Sequence, residues 1–248
     1  MFTRLLIGLD GSAPADQALD QAVLLARRFG ATLVVGHVQE RGTGKGVDGA
    51  TLLERARARV GSAGGIAVET ALRHGHPQEQ LAELARNADA VLVGRRGATA
   101  QGDAIGSTVA GLIRVTECCV IVCGSKPSPM RSAAVAYDGR ETSQRALALA
   151  GRFAGIAPSE LHVIHATIDR AAGTMVVGEA EATLSLQGVA FVTHLEHGTP
   201  AEAVARVVAR IKCDALFVGA HVAHGTEVTV SQAEEILRHT DIPVVIQP

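Results

Sequence analysis

Residues 5–26, "LLIGLDGSAPADQALDQAVLLA", carry a pattern that returns in residues 133–154 as "AAVAYDGRETSQRALALAGRFA". In both stretches an apolar run ends in Asp-Gly, and an Ala-Leu pair begins seven residues after that glycine. A short apolar run that ends at a turn is typical of a buried strand, and the amphipathic run that follows it is typical of a helix. The stretch therefore predicts a strand–turn–helix unit that occurs twice in the chain.

The rest of the chain repeats in the same order. The further matching pairs are 32–38 with 160–166, 73–94 with 196–219, and 112–122 with 236–246. Self-similarity over such lengths indicates a tandem duplication. The stretch "GSKPSPMR", residues 124–131, is rich in Gly, Ser and Pro and is typical of a connection. We therefore expect two domains, residues 1–126 and residues 130–248.

Each half alternates short apolar runs with helical segments. In the first half the pattern predicts strands near 4–9, 32–38, 66–72, 90–94 and 119–123, and helices near 13–29, 51–62, 77–87 and 107–115. Alternating strands and helices of these lengths favour a parallel sheet with helices on both faces. The predicted fold class is α/β, with two tandem open five-stranded sheets that are mainly parallel.

The composition excludes several classes of function. The 248 residues are 47% apolar and 2% aromatic, with a formal net charge of −2. This is a globular composition, and it offers neither the basic surface nor the aromatic platform of a nucleic-acid binder. The N-terminal apolar run is too short for a signal peptide or a membrane span. We expect a cytoplasmic protein whose four cysteines pack in the core, because they lack zinc or redox spacing.

Candidate site residues follow the predicted strands of the first half. Ligands of an open parallel sheet bind beyond the carboxyl ends of its strands. The loop "VGRRGATAQGDAIGST", residues 93–108, lies there and places glycines before a predicted helix, whose N-terminal N–H groups favour an anion. Seven residues are candidates for binding at this edge: Asp10, Val38, Gly94, Gly97, Gly106, Ser107 and Thr108.

These motifs resemble the universal stress protein family in both halves, over nearly the whole chain. The resemblance implies a five-stranded Rossmann-like fold, and one subgroup binds ATP through a Gly-x2-Gly-x9-Gly-Ser/Thr signature. Here eight residues, 98–105, separate Gly97 from Gly106 instead of nine. The resemblance also implies that Asp10 holds the ribose, that the backbone of Val38 contacts adenine, and that Mg²⁺ accompanies the phosphates.

The second half carries an altered copy of the loop, "VGAHVAHGTEVTVSQ", residues 218–232. Gly219 is retained, but Val222 and Val230 replace the other two glycines, while Ser231 remains. A backbone cradle that lacks two glycines should bind phosphate poorly. The two copies therefore predict one competent and one degenerate site, although the first loop has the simpler interpretation of a flexible connection.

Two further patterns point to other chemistry. The stretch "GKGVDG", residues 44–49, matches the dinucleotide fingerprint Gly-x-Gly-x-x-Gly but does not directly follow a strand, so a mobile glycine-rich loop is the simpler interpretation. Histidines of the second half suggest a metal site as an alternative to solvated side chains: His194, His197, His221 and His224. His37 and His165 end the second strand of each half, and we expect both to be packed.

The resulting hypothesis is a stress-response regulatory protein that binds ATP, with Mg²⁺, in its N-terminal domain. No residue is assigned a catalytic role, because the P-loop and nucleophile-elbow motifs are missing. The family implies that the last strands pair the two domains as a pseudo-dimer, that a homodimer is possible, and that a signalling protein is the partner. Two alternatives remain: a slow ATP hydrolase, and a nucleotide-free interaction or metal-binding module.

Overall fold

The computed structural model describes residues 1–40, 48–97, 105–156, 160–220 and 232–248. The chain divides into two units, Met1–Pro127 and Ser128–Pro248. No helix in these ranges is both long enough and apolar enough to cross a membrane.

The first unit is a parallel sheet with the strand order β3-β2-β1-β4-β5. Its strands are β1 Arg4–Leu9, β2 Thr32–Gln39, β3 Val68–His74, β4 Ala90–Gly94 and β5 Cys119–Cys123. Its helices are α1 Ala13–Phe29, α2 Gly49–Ala63, α3 Pro77–Ala85 and α4 Ser107–Val115. Successive strands are added to one side of β1 as far as β3 and then, from β4, to its other side. The point of reversal, between β1 and β4, is where an open α/β sheet forms its binding crevice.

The second unit repeats this topology with the order β10-β9-β6-β7-β8. Its strands are β6 Ser132–Ala136, β7 Glu160–Thr167, β8 Phe191–His197, β9 Ala215–Gly219 and β10 Val244–Gln247. Its helices are α5 Glu141–Ile156, α6 Arg170–Leu186, α7 Pro200–Ile211 and α8 Gln232–His239. The predicted α/β class, with parallel strands in each unit, is confirmed.

Helix α1 shows how local sequence sets an element. The Ser12 hydroxyl accepts from the backbone N–H of Ala15, proline occupies the first turn, and Gly30 ends the helix at φ 65°. Left-handed backbone of this kind favours glycine. The buried face of α1 includes Ala18, Ala22 and Leu25, which pack on the sheet. The helix occupies 13–29, as predicted.

Helices cover both faces of the first sheet. A Cβ placed on Gly36 would lie 3.3 Å from Leu84 of α3, whereas the next residue, His37, lies against Gly49 of α2. Successive residues of a strand point to opposite faces, so α2 and α3 lie on opposite sides. In β1, Leu5, Leu6 and Ile7 are all at most 1% exposed, as expected for a strand that is covered on both faces.

Strand β3 corrects the predicted range of 66–72, because it runs from Val68 to His74. It is the edge strand of the first sheet, and none of its seven residues is fully buried. An edge strand shows little apolar periodicity, so its sequence marks its ends poorly. The register is instead set by pairing with β2, which begins at Leu33 opposite Val68.

The cysteines are free thiols, of which three are buried: Cys119, Cys123 and Cys213. Burial raises the pKa of Cys118 to about 11 and the pKa values of Cys123 and Cys213 to about 12. Only the thiolate is a good nucleophile, so Cys118, Cys123 and Cys213 should react slowly at neutral pH.

We expect Cys118, the one partly exposed thiol, to react with iodoacetamide at pH 8 about 100-fold more slowly than glutathione, because a pKa near 11 leaves about 0.1% thiolate. Mass spectrometry of alkylation time courses measures this rate. The same protein in 6 M guanidinium provides the control, in which all four cysteines should react rapidly. Native Cys118 that reacts as fast as glutathione would contradict the assigned burial.

Candidate functional site

Asp10 stands at the carboxyl end of β1 in a turn that fixes its side chain. The backbone N–H of Ser12 donates to Asp10 Oδ1 at 2.9 Å, and Gly11 between them has φ 80°. The same Ser12 caps α1. The turn therefore holds an exposed carboxylate at the sheet edge, beside the first turn of a helix.

The glycine loop reaches Asp10 from the other side of the crevice. A Cβ placed on Gly97 would lie 3.0 Å from Asp10 Oδ2. The two residues come from opposite sides of the point where strand order reverses, since β1 precedes Asp10 and β4 precedes Gly97. Two of the predicted site residues are thus brought together.

Both ends of the loop meet at the start of α4. The N–H of Gly106 donates to the carbonyl of Arg95 at 3.2 Å, and a Cβ on Gly106 would lie 3.4 Å from the Gly97 nitrogen. Residues 98–104 lie outside the described ranges. With eight residues between them, Gly97 and Gly106 are still adjacent.

Helix α4 begins without a side-chain cap. Its N-cap is Gly106, which has no side chain to accept from the first N–H groups, whereas Ser12, Asp48 and Asp169 cap α1, α2 and α6. Helices α3 and α7 likewise begin without a side-chain cap. The first N–H groups of a helix need an acceptor and carry the positive end of the helix dipole. Ser107 and Thr108 occupy the first turn of α4, where an anion would complete the hydrogen bonds.

Gly94 has a packing role that explains why the second unit also has glycine at this position. A Cβ on Gly94 would lie 2.8 Å from the carbonyl carbon and oxygen of Pro14, in the first turn of α1. A Cβ on Gly219 would meet the backbone of Thr142 in the same way. Glycine at the end of the fourth strand is therefore required by helix packing in both units. Contact between Gly94 and a ligand stays a prediction.

Val38 lies one residue beyond the last pair of β1 and β2, which joins Leu9 and His37. Its side chain is 9% exposed, and β2 extends to Gln39, one residue past the predicted end. The backbone of Val38 therefore passes the end of β1 at the same edge as Asp10. This position is compatible with a backbone contact to a ligand base, which stays a prediction.

A buried histidine braces this edge in each unit. His37 Nδ1 lies 2.7 Å from the carbonyl of Leu9, and His165 Nδ1 lies 2.7 Å from that of Tyr137. A carbonyl only accepts, so Nδ1 is the protonated nitrogen in both rings. Both side chains are 8% exposed, which confirms that they are packed. Each bond joins the end of the second strand to the end of the first.

The second unit has an open cleft at the corresponding edge. The cleft measures about 50 Å³ and is bounded by the ends of three strands and the starts of three helices, including Tyr137, Asp138, His165, Thr142, Gly219 and Gln232. Asp138 repeats the turn of Asp10, but Arg140 stands where the first unit has Ser12. The Arg140 guanidinium lies 3.6 Å from Asp138 Oδ2, so the Asp138 carboxylate forms an ion pair within its own turn.

In the part of the chain that the structure describes, no group of three or more His, Cys, Asp or Glu side chains is placed so that it could hold a metal ion. His194 and His197 point to opposite faces of β8. His221 and His224 lie outside the described ranges, as do residues 44–47 of the fingerprint stretch and Val222, Val230 and Ser231 of the second loop.

One cluster was missed by sequence analysis. His194 contacts His162 on the neighbouring strand β7, with Nε2 of the first 3.0 Å from Nδ1 of the second. The contact depends on the register of two strands, which places these residues on one face, diagonally across the pair. No local motif in the sequence marks it.

In the comparison with known proteins, both units match the same protein family. The sequence model of the Universal stress protein family matches residues 1–124 and again residues 130–248. A universal stress protein from Archaeoglobus fulgidus is 21% identical, with a TM-score of 0.80 over 98% of this chain and 97% of that one. A functionally unknown protein from Pseudomonas aeruginosa is 17% identical, with a TM-score of 0.75 over 99% and 92% of the two chains. Both structures share the whole fold.

A universal stress protein in complex with cAMP matches 50% of this chain and 98% of its own, at 26% identity and a TM-score of 0.43. A comparison with curated proteins found no match.

Proposed function

Because this chain belongs to the universal stress protein family, with one family domain in residues 1–124 and another in residues 130–248, we propose that it is a stress-response regulatory protein that binds ATP. The nucleotide lies at the carboxyl edge of the first unit and acts as a regulatory ligand. The observation that carries the proposal is the meeting of Asp10, Gly97 and Gly106 at an uncapped helix N-terminus.

The residues of this edge fit a nucleotide. Gly97 and Gly106 leave room that a Cβ would fill, and the N–H groups at Ser107 and Thr108 suit phosphate oxygens. The Asp10 carboxylate accepts hydrogen bonds from ribose hydroxyls, and the backbone of Val38 receives the base. Mg²⁺, when bound, neutralises part of the phosphate charge, and it is held chiefly by the phosphates themselves.

The second unit supports a different candidate function, a nucleotide-free binding module. Its cleft is present, but Asp138 is paired with Arg140, and valines replace two glycines of its loop. These features favour a small ligand without a triphosphate, or a purely structural role for this unit. Cytoplasmic location, a pseudo-dimer or homodimer, and a signalling partner stay predictions from the family.

The test of the main proposal is to denature the purified protein and chromatograph the nucleotide that it releases, and then to titrate nucleotide-free protein with Mg-ATP by calorimetry. We expect about one adenine nucleotide per chain. Absence of both release and binding at millimolar Mg-ATP would overturn the proposal. Phosphate release measured on the same sample distinguishes a regulatory ligand from slow hydrolysis.

We expect Asp10→Asn to weaken Mg-ATP binding about tenfold or more, because hydrogen bonds from ribose to a carboxylate contribute about 1.5–3 kcal/mol. Asparagine keeps an oxygen for the turn with Ser12, so the fold should be unchanged. Calorimetric titration measures the affinity. The matched control is Asp138→Asn in the second unit, which should leave Mg-ATP affinity unaltered. Equal losses in both variants would show that Asp10 has no special role.

A further inference from the structure

A chain of polar side chains crosses one face of the second sheet, outside the nucleotide edge. It runs from Arg210 of α7 through His194 of β8 and His162 of β7 to Glu160 at the start of β7. Arg210 Nη2 lies 3.4 Å from His194 Nδ1, His194 Nε2 lies 3.0 Å from His162 Nδ1, and His162 Nε2 lies 3.5 Å from Glu160 Oε1. The His162 ring is almost fully buried, at 5% exposure.

The charged groups at the two ends of this row of side chains determine which nitrogen of each histidine ring carries the proton. A guanidinium only donates, so His194 Nδ1 must accept, and the proton of that ring sits on Nε2. It is then donated to His162 Nδ1, which leaves the second proton on His162 Nε2, facing a carboxylate that only accepts. The reverse direction would place an N–H against Arg210 and a lone pair against Glu160. The contacts therefore assign the Nε2–H tautomer to both rings.

The charged groups beside the pair act in opposite directions, because Arg210 disfavours a positive charge on His194 whereas Glu160 and Glu196 favour one. Arg210 is held in place by Glu196 at 2.6 Å, so its guanidinium stays beside His194. The groups that face the rings are Glu160 from β7, Glu196 from β8 and Arg210 from α7. Helix α6 lies on the opposite face, where its Glu181 accepts from Thr193. Arg210 likewise disfavours a metal cation between the two rings.

The first unit has no counterpart of this chain. Leu33 and Val68 pair in the first sheet as Leu161 and Phe191 pair in the second, so His162 corresponds to Val34 and His194 corresponds to Ala71. Helices α3 and α7 both begin at proline, Pro77 and Pro200, and this aligns Arg210 with Asn87. The two units therefore share one fold, but only the second has the histidine pair, and the first has apolar residues at both histidine positions.

We propose that the Arg210–His194–His162–Glu160 chain is an acid-sensitive clamp, which holds helix α7 and edge strand β8 on the sheet at neutral pH and releases them when the histidine pair takes up a proton. A proton added to either ring places one N–H against another, or against the guanidinium, because both acceptor positions are already in use. The clamp bears on the cleft, since Pro200 and Val204 of α7 line it.

The direction of the pH dependence follows from the same contacts. Burial, the neighbouring His162 and Arg210 lower the pKa of His194 below its ordinary value of 6.5. In the released state the ring regains a pKa near 6.5, so protons bind more tightly to the released state. Release therefore becomes more favourable as pH falls below about 6.5, and the clamp is fully closed above that pH.

Native-state amide hydrogen exchange tests the clamp in the intact protein. After correction for the intrinsic pH dependence of exchange, the opening constant of the β8 amides should rise by up to about tenfold between pH 7.5 and pH 5.5, which is the limit for one proton with a pKa near 6.5 that only the released state takes up. The equivalent edge strand β3 is the internal control and should change less than twofold. Equal changes in β3 and β8 would overturn the proposal.

Two variants and a spectroscopic measurement sharpen the result. The double variant H162V/H194A carries the first unit's residues and should lose the acid response, whereas His197→Asn, on the exposed end of the same strand, should keep it. Nitrogen chemical shifts of the wild-type rings at pH 7.5 should show Nε2–H tautomers for both histidines. An Nδ1–H tautomer at either ring, or an acid response that survives in the double variant, would refute the clamp.

Discussion

Gly106→Val should abolish nucleotide binding by the first unit, with no nucleotide co-purifying and the Kd for Mg-ATP raised at least about 100-fold, the effect of losing roughly 3 kcal/mol of phosphate contacts. A Cβ at this position already lies 3.4 Å from the Gly97 nitrogen, and the valine methyl groups extend into the cradle at the start of α4. The backbone itself accepts valine, because Gly106 has φ −59° and ψ 142°. Loss of binding would therefore come from filled space and not from strain.

The second unit has valine at the equivalent position, Val230. Calorimetric titration with Mg-ATP measures the affinity, and thermal unfolding shows whether the fold is kept. Gly61→Ala serves as the control, because no atom lies within 4 Å of a Cβ at that helical position. Binding by Gly106→Val at the wild-type Kd would mean that the loop is only a turn.

Gly219→Ala should destabilise the second unit by about 3 kcal/mol, at the upper end of the range for overpacked positions. The added Cβ would meet the Thr142 carbonyl carbon and lie 2.6 Å from the Ser143 nitrogen, and backbone atoms of a helix turn cannot rotate away. Gly94→Ala should cost less, about 1–2 kcal/mol, because its nearest contacts with Pro14 are longer, at 2.8 Å.

Urea denaturation followed by circular dichroism measures these free energies of unfolding. The control is Gly178→Ala in the middle of α6, where no atom lies within 4 Å of the new Cβ and the substitution should stabilise the unit by about 0.5–1 kcal/mol. A Gly219→Ala variant with wild-type stability would show that β9 and the first turn of α5 can move apart freely.

Elements with strong local signals were predictable from the sequence. Helix α1 has a capping serine, an early proline and a terminal glycine, and its observed range is 13–29 as predicted. Strand β3 was displaced by two residues, because an exposed edge strand takes its register from β2 and not from its own pattern. The fold class followed from the alternation of elements, which does not depend on such boundaries.

The candidate site was predictable only where topology alone brings residues together. Asp10 and Gly97 follow strands whose carboxyl ends share one edge, so their proximity could be expected. The packing role of Gly94 was hidden, because the atoms it meets belong to Pro14, 80 residues earlier in the chain. The contact of His162 with His194 likewise rests on strand register, which only the folded sheet defines.

The histidine braces separate the shape of the binding edge from its chemistry. His37 and His165 join the ends of two strands through protein atoms alone, so neither brace needs a ligand in order to form. The second unit keeps its brace at His165 although its loop has valine at two of the glycine positions, so the brace does not depend on the loop glycines. A domain whose binding edge is held by such a brace can exchange the residues that contact a ligand, as Arg140 and the two loop valines differ from the first unit, while the strand ends stay joined.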